Sequence, residues 1–143
     1  MRKLALITAI LAAGLLFINP IEASAHGKEH HGGAADAQME RLHAMMPFFS
    51  IASAELESTL DKGDTVGANT VAEKIMAYVP DLKKSKTHKN AKQRKKFVEL
   101  AANFEKAMTF TVDRINKGDL SGAKAAFKKV EKVCAVCHAT FRD

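Results

Sequence analysis

The stretch Leu120-Ser121-Gly122-Ala123-Lys124-Ala125-Ala126-Phe127-Lys128-Lys129-Val130-Glu131-Lys132-Val133-Cys134-Ala135-Val136-Cys137-His138-Ala139-Thr140-Phe141 decides the fold. Leu120, Ala123, Phe127, Val130, Cys134, Cys137 and Phe141 step by 3, 4, 3, 4, 3 and 4 residues. That spacing places them on one face of a helix and is the inward stripe of a helix packed in a bundle. Asp119 stands at the start as a side-chain cap, and Gly118 before it ends the preceding element.

Within this helix Cys134-Ala135-Val136-Cys137-His138 has the Cys-x-x-Cys-His spacing of c-type haem attachment. Residues three and four apart share a helix face, so both thiols reach the vinyl groups of one porphyrin and His138 turns its imidazole to the iron from the same side. A thioredoxin-type dithiol instead needs its first cysteine at a helix N-terminus in a βαβ surround, where the dipole lowers its pKa. Structural zinc needs a fourth ligand and usually a second paired motif. A disulfide between i and i+3 inside a helix is poorly placed geometrically. The reading is one haem c, held by two thioethers from Cys134 and Cys137, with His138 as a ligand to the iron.

Outward from this helix, Lys117-Gly118-Asp119-Leu120-Ser121-Gly122-Ala123 echoes Lys62-Gly63-Asp64-Thr65-Val66-Gly67-Ala68, which points to two helical hairpins of similar build. Helices are predicted at about 36–62, 65–79, 90–117 and 119–141, within roughly three residues. Pro80 is read as the stop of the second, and Lys83 to Lys89 as a long connection. No run of alternating β-branched residues indicates a strand. Two short-looped pairs and one longer link give an all-α, antiparallel up-down-up-down four-helix bundle with the haem near the C-terminal end of the fourth helix. The third helix offers Phe97, Ala101, Phe104, Met108 and Ile115 to the core, and the first offers Leu42, Met45, Phe49, Ala52, Leu56 and Leu60.

The chain of 143 residues opens on Arg2 and Lys3, an uncharged apolar run from Leu4 to Ile18, and Ala23-Ser24-Ala25. That order is a cleavable secretory signal, and the apolar run is short for a membrane span. The organisation expected is a signal peptide at 1–25, a His- and Gly-rich leader at 26–35 and a bundle domain at 36–143. Export to the periplasm and no membrane span after cleavage follow. The formal charge is +6, much of it in Lys83, Lys84, Lys86, Lys89, Lys92, Arg94, Lys95 and Lys96. Such a patch steers an acidic partner, while the lack of interleaved aromatic residues argues against nucleic acid. His26, His30 and His31 in the leader are candidate metal donors.

These residues resemble the class II c-type cytochromes, the cytochrome c prime family, whose attachment motif lies close to the C-terminus on the fourth helix. Gly118-Asp119-Leu120, Ala125-Ala126-Phe127 and Cys134-x-x-Cys137-His138-x-x-Phe141-Arg142 carry the resemblance, with Arg41 followed four residues later by Met45 in the first helix. It implies that Arg41 lies near a haem propionate and that Met45 faces the distal side of the iron. It also implies redox partner proteins and a homodimer through the first two helices. Arg142, one turn beyond His138, is placed to reach a propionate or the proximal side of the haem. Its other role is that of a basic residue at a helix end.

The family divides at the sixth coordination site. Some members cover the iron with an apolar residue and bind nitric oxide or carbon monoxide. Others place a methionine there and resemble electron carriers, since a thioether raises the potential and closes the site. Met45 falls on the inward stripe with Leu42 and Phe49, so phase and resemblance agree. Met46 and His43 are the neighbouring alternatives, and Pro47 bears on the choice because a kink there changes which side chain reaches the iron. A peroxidase needs a distal base in a polar pocket, for which His43 is the only nearby candidate and has no arginine partner in view. The expectation is a non-enzymatic monohaem cytochrome of electron transfer, with gas binding as the rival.

Overall fold

The two echoed turns set the frame of the bundle. In the computed structural model, which describes residues 34–142, Gly63 and Gly118 both take positive φ, 75° and 71°. That is left-handed backbone, which glycine adopts without a Cβ penalty. Asp64 and Asp119 then cap the next helix, each accepting a 2.8 Å hydrogen bond from the backbone N–H of Gly67 or Gly122. A Cβ on Gly122 would lie 2.1 Å from the Asp119 carboxylate, so the cap closes only because that position has no side chain. Gly118→Ala is expected to destabilise the protein by about 1–2 kcal/mol, read as a lower denaturant midpoint at unchanged slope.

Asp119 carries a second device. The Gly122 N–H and then the Arg114 guanidinium, 3.0 Å away, hold its carboxyl below the ordinary carboxylate value of 3.8. A depressed carboxylate stabilises the fold above its unfolded pKa, and that contribution is lost as pH falls through the folded value. Below pH 3.8 the melting temperature of the wild type is therefore expected to drop more steeply than that of Asp119→Asn.

Between these turns the described residues form five α-helices and no strand: α1 (Ala34–Lys62), α2 (Thr65–Ala77), α3 (Val79–Lys84), α4 (Arg94–Asn116) and α5 (Leu120–Phe141). A single 3-10 turn at Ala91–Gln93 leads into α4. The packed pairs are α1 on α2 and α4 on α5, joined through α2 against α4 and α1 against α5, which makes the four-helix bundle. Leu56, Leu60, Val71, Ile75, Met108, Ala123, Phe127 and Val130 fill its centre. The predicted signal peptide and most of the leader lie outside the described residues. No described helix is long and apolar enough to cross a membrane.

One detail departs from the sequence reading. The second helix ends at Ala77, ahead of Pro80, but Pro80 also opens a further short helix, in whose first turn a missing N–H costs nothing because the first amides of a helix have no intrahelical acceptor. The connection shrinks accordingly to residues 85–90 before the 3-10 turn. Pro47 neither starts nor ends α1, which runs through it. Proline has no N–H to give the carbonyl of His43 four residues back, so the ladder loses one bond at that level.

Arg94 donates to the carbonyls of Lys83 and Ser85 at 2.5 and 2.6 Å, and Lys83 pairs with Glu105. Lys89 Nζ reaches the Arg142 carbonyl at 2.7 Å and Asn90 Nδ2 the Thr140 carbonyl at 2.6 Å. The connection is thereby stitched to the C-terminal end of α5. Part of the basic run thus has a structural duty, while Lys84, Lys86, Lys92, Lys95 and Lys96 are exposed.

Candidate haem site

The C-terminal half of α5, the start of α4, the N-terminal half of α1 and the stitched connection enclose a cavity of about 800 Å³, within the range of cofactor sites. Cys134, Cys137 and His138 line it from α5. Both cysteines are half-buried, are not bridged to each other and pack against the core. Phe49 from α1, Phe97, Leu100 and Phe104 from α4, and Val130 and Phe141 from α5 make the wall largely apolar. The rings pair edge to face: Phe97 with Phe141 at 5.4 Å and Phe49 with Phe104 at 5.5 Å. Aromatic edges and faces of this kind suit a flat apolar macrocycle. A smaller cleft, between α1 and α5, is about 50 Å³ and crossed by the ion pairs Lys124–Asp61 and Lys128–Glu57, each 2.9 Å.

The electrostatics of the three chemical residues agree with attachment rather than dithiol exchange. Burial, then the neighbouring Cys137 and Glu131, pushes the Cys134 thiol up to about 11, and burial raises Cys137 as well. A redox dithiol needs the opposite, a lowered pKa that yields thiolate at neutral pH. Among the described residues no group of three His, Cys, Asp or Glu side chains is arranged to hold a metal, which leaves a zinc site without its ligand set. Burial and the nearby Arg142 guanidinium lower the pKa of His138 and favour the neutral imidazole that an iron ligand requires.

The other sequence candidates separate. Arg142 lines the cavity at its exposed end. Its backbone N–H also donates to the His138 carbonyl at 3.0 Å and closes α5, so it serves the helix end as well. Arg41 is exposed and does not belong to the cavity wall. The wall formed by α1 consists of Leu42, His43, Met46, Pro47, Phe49, Ser50 and Ser53. Met46 therefore faces the cavity, whereas Met45 is only 5% exposed, belongs to the bundle core and is not among the wall residues. Adjacent helical positions point about 100° apart, so α1 turns one methionine to the core and the next to the cavity.

Sequence reasoning missed Thr87 and His88, which line the cavity from the connection. His88 meets His43 edge to face at 5.1 Å. A separation of 45 residues leaves no local signal for that pairing.

Two cysteines and a histidine on one helix face, opening into an apolar cavity in a helical bundle, define a c-type haem protein of the bundle class. The family model described as Cytochrome C' matches residues 34–142, and the chain belongs to that family. It carries one covalently attached c-type haem. Proteins of the family are generally exported and act in electron transfer or gas binding. No curated protein and no solved structure matches the chain.

Proposed function

We propose that the protein is a periplasmic electron carrier whose iron is bound by His138 and by a methionine of α1. The observation that carries this reading is Met46 on the cavity wall, on a helix facing the one that bears His138. Met45 is the residue the first-helix pattern favours, but its burial in the bundle core makes Met46 the better assignment. The haem, when bound, supplies a one-electron couple whose potential a thioether ligand raises. His138 presents a neutral nitrogen, Cys134 and Cys137 fix its register against the ring, and the Phe49, Phe97, Phe104 and Phe141 side chains keep water away. Across from α5 the wall offers His43 and His88 as proton carriers, Glu131 lies on α5 itself, and no arginine of α1 joins them, which supports a carrier over a peroxidase.

The exposed lysines Lys84, Lys86, Lys92, Lys95 and Lys96 lie on or beside the connection that forms one wall of the cavity. They suit an acidic redox partner, steered to the haem edge by long-range attraction. A homodimer through α1 and α2 is part of the same proposal, and Ile51 and Val66, exposed at 70% and 77% on those helices, are its apolar contacts.

Carbon monoxide tests the functional reading. A ferrous spectrum that does not change on adding the gas is expected, because a methionine occupies the sixth position. Ready formation of a carbon monoxide complex by the wild type would transfer the protein to the gas-binding branch.

A further inference from the structure

Near the mouth of the cavity, Met39 and His43 lie one turn apart on α1, at i and i+4, so they share a helix face. His88 reaches the same place from the connection. Its Nδ1 lies 3.1 Å from Met39 Sδ, and its ring centroid lies 5.1 Å from that of His43, with the planes at 77°. Both histidines are exposed and Met39 is half-buried. Two imidazoles and a thioether thus converge at a point that solvent reaches. His43 and His88 belong to the cavity wall and Met39 does not, so this point lies at the rim of the cavity.

We propose that Met39, His43 and His88 form a binding site for one monovalent soft metal ion, Cu(I), beside the haem cavity. The distances suit a shared ion. Two imidazoles on one ion with metal–nitrogen bonds of about 2.0 Å hold their centroids roughly 5 to 6 Å apart in a tetrahedral or trigonal arrangement. Nitrogen and sulfur donors at about 2.0 and 2.3 Å sit roughly 3.5 Å from each other, so the His88–Met39 pair needs to open by only a few tenths of an ångström. Donor chemistry selects the ion: a thioether is soft and favours Cu(I), whereas carboxylate and carbonyl sets, absent from this trio, favour the hard divalent ions. Charge selects in the same direction. Lys86 and Lys89 flank His88 in the connection, and their repulsion of a dication is twice that of a monocation. With no ion bound, a weak nitrogen–sulfur contact and the ring pair hold the three side chains together.

The test is anaerobic titration of the full-length ferrous holoprotein with Cu(I) against a chromophoric Cu(I) chelator, followed at the chelator band and at the haem bands. One equivalent is expected to bind with the haem bands unchanged. Met39→Leu and His88→Gln are each expected to weaken binding at least tenfold, with melting temperatures recorded to show that the variants are folded. No withdrawal of Cu(I) from the chelator would overturn the proposal. So would affinity that survives both substitutions, or that disappears only when His26, His30 and His31 are replaced. A shift of the haem bands on adding the ion would overturn it as well, since it would mean that the metal disturbs iron ligation instead of occupying a site of its own. Because the readout is metal affinity and not redox activity, failure here leaves the electron-transfer reading standing.

Discussion

Met46→Leu is expected to convert a low-spin, six-coordinate iron into a five-coordinate, high-spin one that binds carbon monoxide. Leucine keeps the apolar volume of the side chain and removes its only donor atom, so the cavity wall stays filled while the sixth position opens. The matched change Met45→Leu is expected to leave the spectrum as it is and to cost less than about 1.5 kcal/mol of stability, the usual penalty for a volume-conserving core exchange. The pair separates ligation from packing at adjacent positions. Should Met45→Leu alone open the iron, the first-helix pattern seen in the sequence would be the correct guide, and α1 would have to turn by about 100° on taking up the haem.

The second large effect is expected from Cys134→Ala combined with Cys137→Ala. The exported chain should then show the mass of the polypeptide alone under denaturing conditions. It should also lose its cooperative thermal transition and bind a hydrophobic dye, as loosely packed helical states do. The reason is volume. A void of about 800 Å³ at ~24 cal/mol per Å³ amounts to an upper limit on the order of 20 kcal/mol. Water entering at the mouth reduces that figure, yet it is large against a total stability of about 5–15 kcal/mol. The haem is therefore part of the core, and the bundle without it is expected to collapse around the four phenylalanines. A double variant that carries no haem and still melts sharply near the wild-type temperature would show that the helices specify the fold unaided.

Much of this architecture was legible in the sequence because its signals are local. The two Lys-Gly-Asp turns placed four helix ends, and both glycines have the backbone and both aspartates the capping bonds that the pattern implies. The stripe of α5 was legible for the same reason. Ala123, Phe127, Val130 and Phe141 are buried, and the two cysteines between them open on the cavity. Pro80 marks a stop and a start together, since α2 ends at Ala77 and α3 has Pro80 in its first turn, and a helix as short as α3 leaves no periodic signal in the sequence.

The distal side was less legible, and α1 shows why. A helix that borders a cofactor cavity has one face for the core and another for the cavity. On α1 the core face is Leu42, Met45, Ala52, Leu56 and Leu60, an apolar stripe that periodicity finds at once. The cavity face shares Leu42 with that stripe and adds His43, Met46, Phe49, Ser50 and Ser53, and its polar members weaken any hydrophobic count. Met45 drew attention because it lies on that stripe and follows Arg41 by four residues, whereas Met46, off the stripe, is the methionine that lines the cavity. The contacts of His88 had no signal at all, since they depend on how the connection folds back over α1.

One measurement bears most directly on the claim that His138 and a methionine of α1 bind the iron: the visible to near-infrared spectrum of the ferric holoprotein at neutral pH. The expected result is a low-spin spectrum with a weak far-red band arising from sulfur-to-iron charge transfer, which disappears in Met46→Leu. A high-spin ferric spectrum without that band would contradict the account and leave the iron five-coordinate on His138 alone.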